Sequence, residues 1–334
     1  MKSLRRVRIT GTGMYVPPKV VTNSDLEKLM DTSDEWIQQR SGICERRYAE
    51  DGVGPSHLAH EASLKAIEAA GIDKGQIDLV IVASLSPDYY FPGVSSFLQD
   101  HLGLGTTPAF DVRNQCSGFI YALNIGQLYV ATGQYDRVLV VGAEVHSSAL
   151  NFTTAGRDVA VLFGDGAGAV ILEPSDDPEH GIMSVALHTE GEHRDRLKVQ
   201  FPGTIQKPYV REENIKENTI YPHMEGRHVF KNAVQRLTEV SLEVLADNHL
   251  TPDDVDFFAF HQANLRINEF VMKQLEQDIS KTHNNIQKYG NCSAASVPMV
   301  LDEAVRAGRV KSGDIVCLSA FGAGYSWGGA LLRW

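Results

Sequence analysis

An α/β protein made of two duplicated halves is the fold this sequence predicts, and two observations predict it. Uninterrupted apolar runs alternate with helical patterns, the signature of sheets covered on both faces. The same order of elements also occurs twice, about 178 residues apart. Residues 62–98 read helix, polar loop, strand Leu79-Val80-Ile81-Val82, loop, helix, and residues 241–275 repeat that order around Phe257-Phe258-Ala259-Phe260. Gln115-Cys116-Ser117-Gly118, a helix through Gly133 and Val138-Leu139-Val140-Val141 then match Asn291-Cys292-Ser293-Ala294, a helix through Gly308 and Ile315-Val316-Cys317-Leu318. On this match Cys292 is the counterpart of Cys116, with a structural role. Each half closes with a glycine turn and an apolar strand, at 163–172 and 321–332. The expected sheets are mostly parallel, and the halves, 1–174 and 175–334, pack about a pseudo-twofold axis. Residues 174–223, with a charged run at 190–198, have no counterpart in the repeat and are expected to form an irregular surface excursion.

Composition narrows the function classes. At 334 residues the chain can bury one large α/β unit or roughly two domains without metal or disulfide staples. A net charge of −11 leaves no excess of Lys and Arg to neutralise phosphates, which argues against a nucleic-acid binder. The basic start, residues 1–9, is followed by no apolar run of signal-peptide type, and no stretch is apolar enough for a membrane span. A cytoplasmic protein is the expectation. The four cysteines, Cys44, Cys116, Cys292 and Cys317, lie far apart with no paired spacing, so neither a disulfide framework nor a metal site is expected.

Cys116 is the residue with the clearest chemistry. It follows the apolar strand 109–112 and opens a helix rich in small residues, where unpaired backbone N–H groups and the helix dipole favour thiolate over thiol. Taken alone, a buried cysteine is more often a small hydrophobe. Three segments of the second half change the odds, because ligands gather where the carboxyl ends of parallel strands converge. His261 follows the strand 257–260, Asn291 precedes the second cysteine, and Gly322-Ala323-Gly324 forms a turn. Each has a plain structural reading: a satisfied histidine, a helix N-cap, a simple turn. Pseudo-symmetry would nevertheless bring all three to Cys116.

These segments, in this order, closely resemble the β-ketoacyl-acyl-carrier-protein synthase III family of the thiolase-fold condensing enzymes. The resemblance spans essentially the whole chain: residues 32–43 around Trp36, the Cys116 segment, Phe163-Gly164-Asp165-Gly166-Ala167-Gly168, His261-Gln262-Ala263-Asn264, residues 289–298 around Asn291, and the C-terminal glycine turn. It implies a thiolase-like fold of five layers, αβαβα, and a two-stage reaction. Cys116 would take the acyl group of an acyl-CoA. Malonyl-acyl-carrier protein (malonyl-ACP) would then lose carbon dioxide, and its enolate would attack the acyl-Cys116 carbonyl to give a β-ketoacyl thioester. His261 and Asn291 would donate hydrogen bonds to the malonyl thioester oxygen, and the backbone N–H groups of Cys116 and Ala323 would hold the second oxyanion.

The same resemblance assigns the approach to the site. Trp36 would stack on the CoA adenine with Arg157, Arg40 would meet the CoA phosphates, and Gly226, Phe230, Ala263 and Asn264 would line the pantetheine channel. Lys231, Arg266 and Lys273 would dock the acidic carrier protein. Phe91, in the loop 87–92 of a neighbouring subunit, would complete the acyl pocket of a homodimer. No cofactor and no metal is implied, since acyl-CoA and malonyl-ACP are substrates.

Some residues depart from the family pattern. Arg113-Asn114-Gln115 places polar bulk before the nucleophile, where small residues are usual, and Arg227 stands where a smaller polar residue is common. A starter longer than acetyl is the reading these departures suggest. Three alternatives remain open: an acyltransferase moving the acyl group from Cys116 to an alcohol or amine without decarboxylation, a cysteine hydrolase, and a non-catalytic scaffold that binds carrier protein.

Overall fold

The computed structural model describes residues 4–334, so the first three residues of the basic start lie outside the described residues. Two sheets form its framework. The first has β1 (Val7–Tyr15), β2 (Leu79–Ala83), β3 (Ala109–Val112), β4 (Val138–Glu144) and β5 (Gly166–Pro174), in the spatial order β1-β5-β4-β2-β3. The second has β6 (Gly181–Thr189), β7 (Phe257–Phe260), β8 (Ile315–Gly322) and β9 (Ser326–Arg333), in the order β7-β8-β9-β6. The order β1-β5-β4-β2 is thus repeated as β6-β9-β8-β7. The counterpart of β3 is reduced to one parallel bridge between Phe258 and Thr282.

Six helices make the remaining layers. α1 (Pro55–Ala70) and α2 (Val94–Leu102) cover the outside of the first sheet, and α4 (Gly226–Ala246) and α5 (Leu265–Gln274) cover the outside of the second. α3 (Gly118–Thr132) and α6 (Ser296–Arg306) lie between the sheets. The five-layer αβαβα arrangement follows from strand periodicity. Ile81 and Ala83 face the central layer, where they join Phe119, Leu123 and Val300, while Val80 and Val82 face outward onto Leu58 and Leu98. α3 is apolar on most of its surface because both of its faces are covered.

Three expectations need correction. The sheets are mixed: β4–β2, β2–β3 and β7–β8 are parallel, whereas β1–β5, β4–β5, β8–β9 and β9–β6 are antiparallel. β8 and β9 are joined through residues 323–325, too few for the crossover that a parallel pair requires. The stretch 174–223 is also not wholly an excursion, because β6 pairs with β9 along its length, from Thr189 opposite Ser326 to Gly181 opposite Arg333. Only residues 190–223 carry short, irregular elements.

The third correction concerns the repeat itself. The 3-10 turn Gln115–Ser117 leads into α3 as the turn Ser293–Ala295 leads into α6, and each begins with a left-handed residue, Gln115 at φ 46° and Ser293 at φ 47°. Ala294 therefore occupies the place of Cys116. Cys292 lies two residues earlier and packs with Ala295 and Met299. Matching cysteine to cysteine shifted that part of the repeat by two positions. Gly142 of β4 lets this turn approach, since a Cβ there would sit 2.4 Å from the Ala294 carbonyl oxygen. Among the described residues, no helix is long and apolar enough to cross a membrane.

Candidate active site

Cys116 sits in the turn between β3 and α3 and is 7% exposed. Ser117 anchors the turn, its Oγ lying 3.1 Å from the Asn114 carbonyl oxygen and 2.8 Å from Ser326 Oγ of β9. The end of β8 closes on the nucleophile from the other half. A Cβ on Gly322 would lie 2.9 Å from the Cys116 backbone nitrogen, so only glycine permits this approach. Ala323 follows it in the turn.

His261 and Asn291 reach the same pocket as Cys116. His261 comes directly after β7 and is buried, with Nδ1 2.6 Å from Ser296 Oγ. Asn291 is held by the first half: its backbone N–H donates to Leu162 O at 2.8 Å and its carbonyl accepts from Gly164 N–H at 3.1 Å. Its side-chain Oδ1 accepts the Ser293 N–H at 2.8 Å, which leaves its amide NH₂ as the end free for a ligand. The two halves thus place one nucleophile and two potential donors around a common space. Phe321, Leu237 and Ala233 supply an apolar wall.

Electrostatics correct the simple helix-dipole argument. Burial pushes the Cys116 thiol up to about 12; a hydrogen bond from Ser293 Oγ, 3.3 Å from Sγ, opposes the shift, and the Glu144 carboxylate adds to it. The resting residue is a thiol. Glu144 is itself raised to about 7 by burial, although Ser84, Leu85 and Ser86 all donate to its carboxylate. His261 is depressed to about 3, by burial first and by His146 second, so its imidazole is neutral at physiological pH. Alkylation of Cys116 by iodoacetamide is therefore expected to rise about tenfold per pH unit from about pH 6 to about pH 9, because each unit multiplies the thiolate fraction tenfold below the thiol's pKa. A plateau near neutral pH in the alkylation rate would contradict this.

A channel leads outward from the pocket. Gly226, Phe230 and Asn264 line both its inner part and its mouth, Ala263 lines the inner part, and Trp36 and Arg40 line the mouth. The Trp36 ring has the Arg40 guanidinium 4.5 Å and the Arg157 guanidinium 5.1 Å from its centroid. Arg227 also lines the mouth and is exposed. Arg113 is exposed too, so it brings no buried charge. Asn114 and Gln115 are half-buried beside the nucleophile.

Other sequence-chosen residues lie apart from the pocket. Phe91 is 80% exposed and lines neither part of this channel in its own chain. Lys231 on α4 and Lys273 on α5 are exposed, whereas Arg266 is paired with Glu269 at 3.0 Å, which halves the free charge expected from that helix face. Among the described residues, the cluster with metal-ligating geometry is Glu190, Glu192 and His193, outside the pocket, and Glu190 pairs with Arg236 at 2.8 Å.

Sequence reasoning did not single out Ser293, Ser296 or His146. Ser293 touches the sulfur and Ser296 touches the imidazole. His146 is buried against Phe163 at 4.7 Å, with no hydrogen-bond partner for Nε2 among the described residues. The one available signal for the two serines was a run of small residues, 291–296, with Asn291, Ser293 and Ser296 polar, at the start of an otherwise apolar helix.

The family described as 3-oxoacyl-[acyl-carrier-protein (ACP)] synthase III matches residues 110–191, and its C-terminal counterpart matches residues 245–334. The chain is 44% identical over 326 residues to the β-ketoacyl-[acyl-carrier-protein] synthase III of Clostridioides difficile (strain 630), covering 98% of each chain. It is 45% identical over 327 residues to the protein of the same name from Xanthomonas campestris pv. campestris, again covering 98% of each. The crystal structure of 3-oxoacyl-[acyl-carrier-protein] synthase III from Aquifex aeolicus VF5 superposes with a TM-score of 0.90 at 40% identity, over 98% of this chain and 100% of that one. The chain belongs to the β-ketoacyl-[acyl-carrier-protein] synthase III family.

Proposed function

We infer that this chain is a decarboxylating condensing enzyme of fatty acid biosynthesis or a related pathway, loading an acyl group from acyl-CoA onto Cys116 and extending it with malonyl-ACP. The observation that carries the reading is the convergence of Cys116 from one half with His261 and Asn291 from the other on one buried pocket. In the first stage the thiol gives its proton to solvent, sulfur attacks the thioester carbonyl, the C–S bond to CoA breaks, and the departing CoA thiolate takes a proton back from solvent. In the second stage the malonyl C–C bond breaks, carbon dioxide leaves, and negative charge moves to the thioester oxygen, where His261 and Asn291 donate. The enolate carbon then attacks the acyl-Cys116 carbonyl, whose oxygen is held by the N–H groups of Cys116 and Ala323. Collapse of that intermediate releases the Cys116 thiolate, and the product is a β-ketoacyl thioester.

The acyltransferase alternative passes the acyl group from Cys116 to an alcohol or amine without decarboxylation, so it creates no malonyl oxyanion for His261 and Asn291 to stabilise. The channel supports CoA as the acyl source: Trp36, with the Arg157 guanidinium near its ring, offers a stacking site for adenine, and Arg40 offers charge for phosphates. Trp36→Ala is expected to raise KM for acyl-CoA by about tenfold with kcat little changed, since one stacked base contributes about 1–3 kcal/mol. Steady-state kinetics with varied acyl-CoA measure it, and an unchanged KM would remove adenine from this position. A homodimer in which Phe91 of one subunit completes the neighbour's acyl pocket fits the exposure of Tyr89, Tyr90 and Phe91 on a single chain. Of the three docking positions, Lys231 and Lys273 are exposed and open to the carrier protein, while Arg266 is paired with Glu269. Acylation of Cys116 by acyl-CoA, read by mass spectrometry, followed by product formation on adding malonyl-ACP, tests the reading as a whole.

A further inference from the structure

The second stage requires a proton on the nitrogen of His261 that faces the substrate. A neutral imidazole carries one N–H, and which nitrogen holds it is set by the partner of the other. Nδ1 faces Ser296 Oγ at 2.6 Å, and this leaves Nε2 as the nitrogen free for a ligand. The buried Ser296 hydroxyl has one proton and two acceptors in reach, His261 Nδ1 and the Ser293 carbonyl oxygen at 2.9 Å. That carbonyl already accepts the backbone N–H of Ser296 as the turn runs into α6. The hydroxyl oxygen in turn accepts the Gln262 backbone N–H at 3.3 Å, which occupies one of its lone pairs. Of the two acceptors, the imidazole nitrogen at 2.6 Å is nearer than the carbonyl oxygen at 2.9 Å, and the carbonyl already has one N–H donor, so the geometry favours donation of the hydroxyl proton to the imidazole.

We propose that Ser296 is a positioning residue that sets the tautomer of His261: its hydroxyl donates to Nδ1 and so keeps the single imidazole proton on Nε2, aimed at the malonyl thioester oxygen. The opposite arrangement, with Nδ1–H donating to Ser296, would present a lone pair to that oxygen and repel the charge that decarboxylation creates. Ser293 and Ser296 then serve the two stages separately, one donating to the sulfur of Cys116 and the other acting through His261. The proposal rests on the decarboxylating reading.

Histidine-selective ¹⁵N NMR on the full-length protein tests the tautomer directly, with the His261 signals assigned by their absence in His261→Gln. The expected spectrum has Nε2 protonated and Nδ1 bare; the reverse pattern would overturn the proposal. Kinetically, Ser296→Ala is expected to lower condensation with malonyl-ACP by about 10²-fold, as for loss of one oxyanion donor, while Cys116 acylation stays within about threefold. Ser296→Thr, which restores a hydroxyl, is expected to recover most of the condensation rate. Equal loss in both stages, or no loss in condensation, would contradict it. Failure of the wild-type protein to acylate or to condense would instead remove the decarboxylating reading itself.

Discussion

Cys116→Ser is expected to abolish acylation by acyl-CoA and to lower overall condensation by about 10⁴-fold or more, while leaving the fold intact. Among the described residues that line the pocket, Cys116 supplies the one thiol. Its thiol, raised to about 12, still ionises far more readily than a serine hydroxyl in the same buried position. The substitution changes one atom in a site already lined by Ser117 and Ser293, so the thermal midpoint is expected to move little. Intact-protein mass spectrometry after incubation with acyl-CoA, beside a thermal melt, checks both parts. Persistent acylation of the variant would place the nucleophile elsewhere.

The next largest effect belongs to the two donors. His261→Ala and Asn291→Ala are each expected to lower condensation by about 10²–10³-fold through lost stabilisation of the malonyl oxyanion, while acylation of Cys116 persists. The double variant is expected to lose less than the product of the single effects, because both donors act on one oxygen. Release of labelled carbon dioxide from malonyl-ACP reads the lost step, and mass spectrometry reads the retained one. Acylation falling in parallel with decarboxylation would give His261 a different role, as a base for the thiol. Its depression to about 3 leaves it neutral, so no acid limb from His261 is expected in the condensation rate between about pH 5 and about pH 8.

The duplication was legible because β2, β4 and β5 and their counterparts β7, β8 and β9 are short apolar runs bounded by turn residues, and the same order appears twice. β6 was not legible. Its sequence, Gly181 to Thr189, has its apolar run broken by Ser184, ends on His188 and Thr189 and lies beside charged segments, so pattern alone groups it with the excursion that follows. Strand direction was hidden for another reason, since it depends on how each connection crosses the sheet. Cys116, His261 and Asn291 were readable as residue types at strand ends and helix starts. The register that pairs Cys116 with Ala294 was not, because identity of two cysteines outweighed a backbone feature, left-handed Gln115 and Ser293, that no side-chain pattern records. The raised thiol was equally invisible: the helix start can be read from sequence, but the burial that outweighs it comes with the close approach of β8, and the Glu144 carboxylate adds to it, both distant along the chain.

The central claim is that one pocket performs two stages, with the acyl group held on Cys116 between them. Single-turnover mass spectrometry tests it most directly. The protein is mixed with one equivalent of acyl-CoA, freed of CoA, and then given malonyl-ACP. The account predicts a mass increase of one acyl group localised to Cys116, followed by its disappearance at the rate at which β-ketoacyl-ACP and carbon dioxide form. An acyl-enzyme that forms and is then discharged only to water or to an alcohol, with malonyl-ACP left intact, would contradict it.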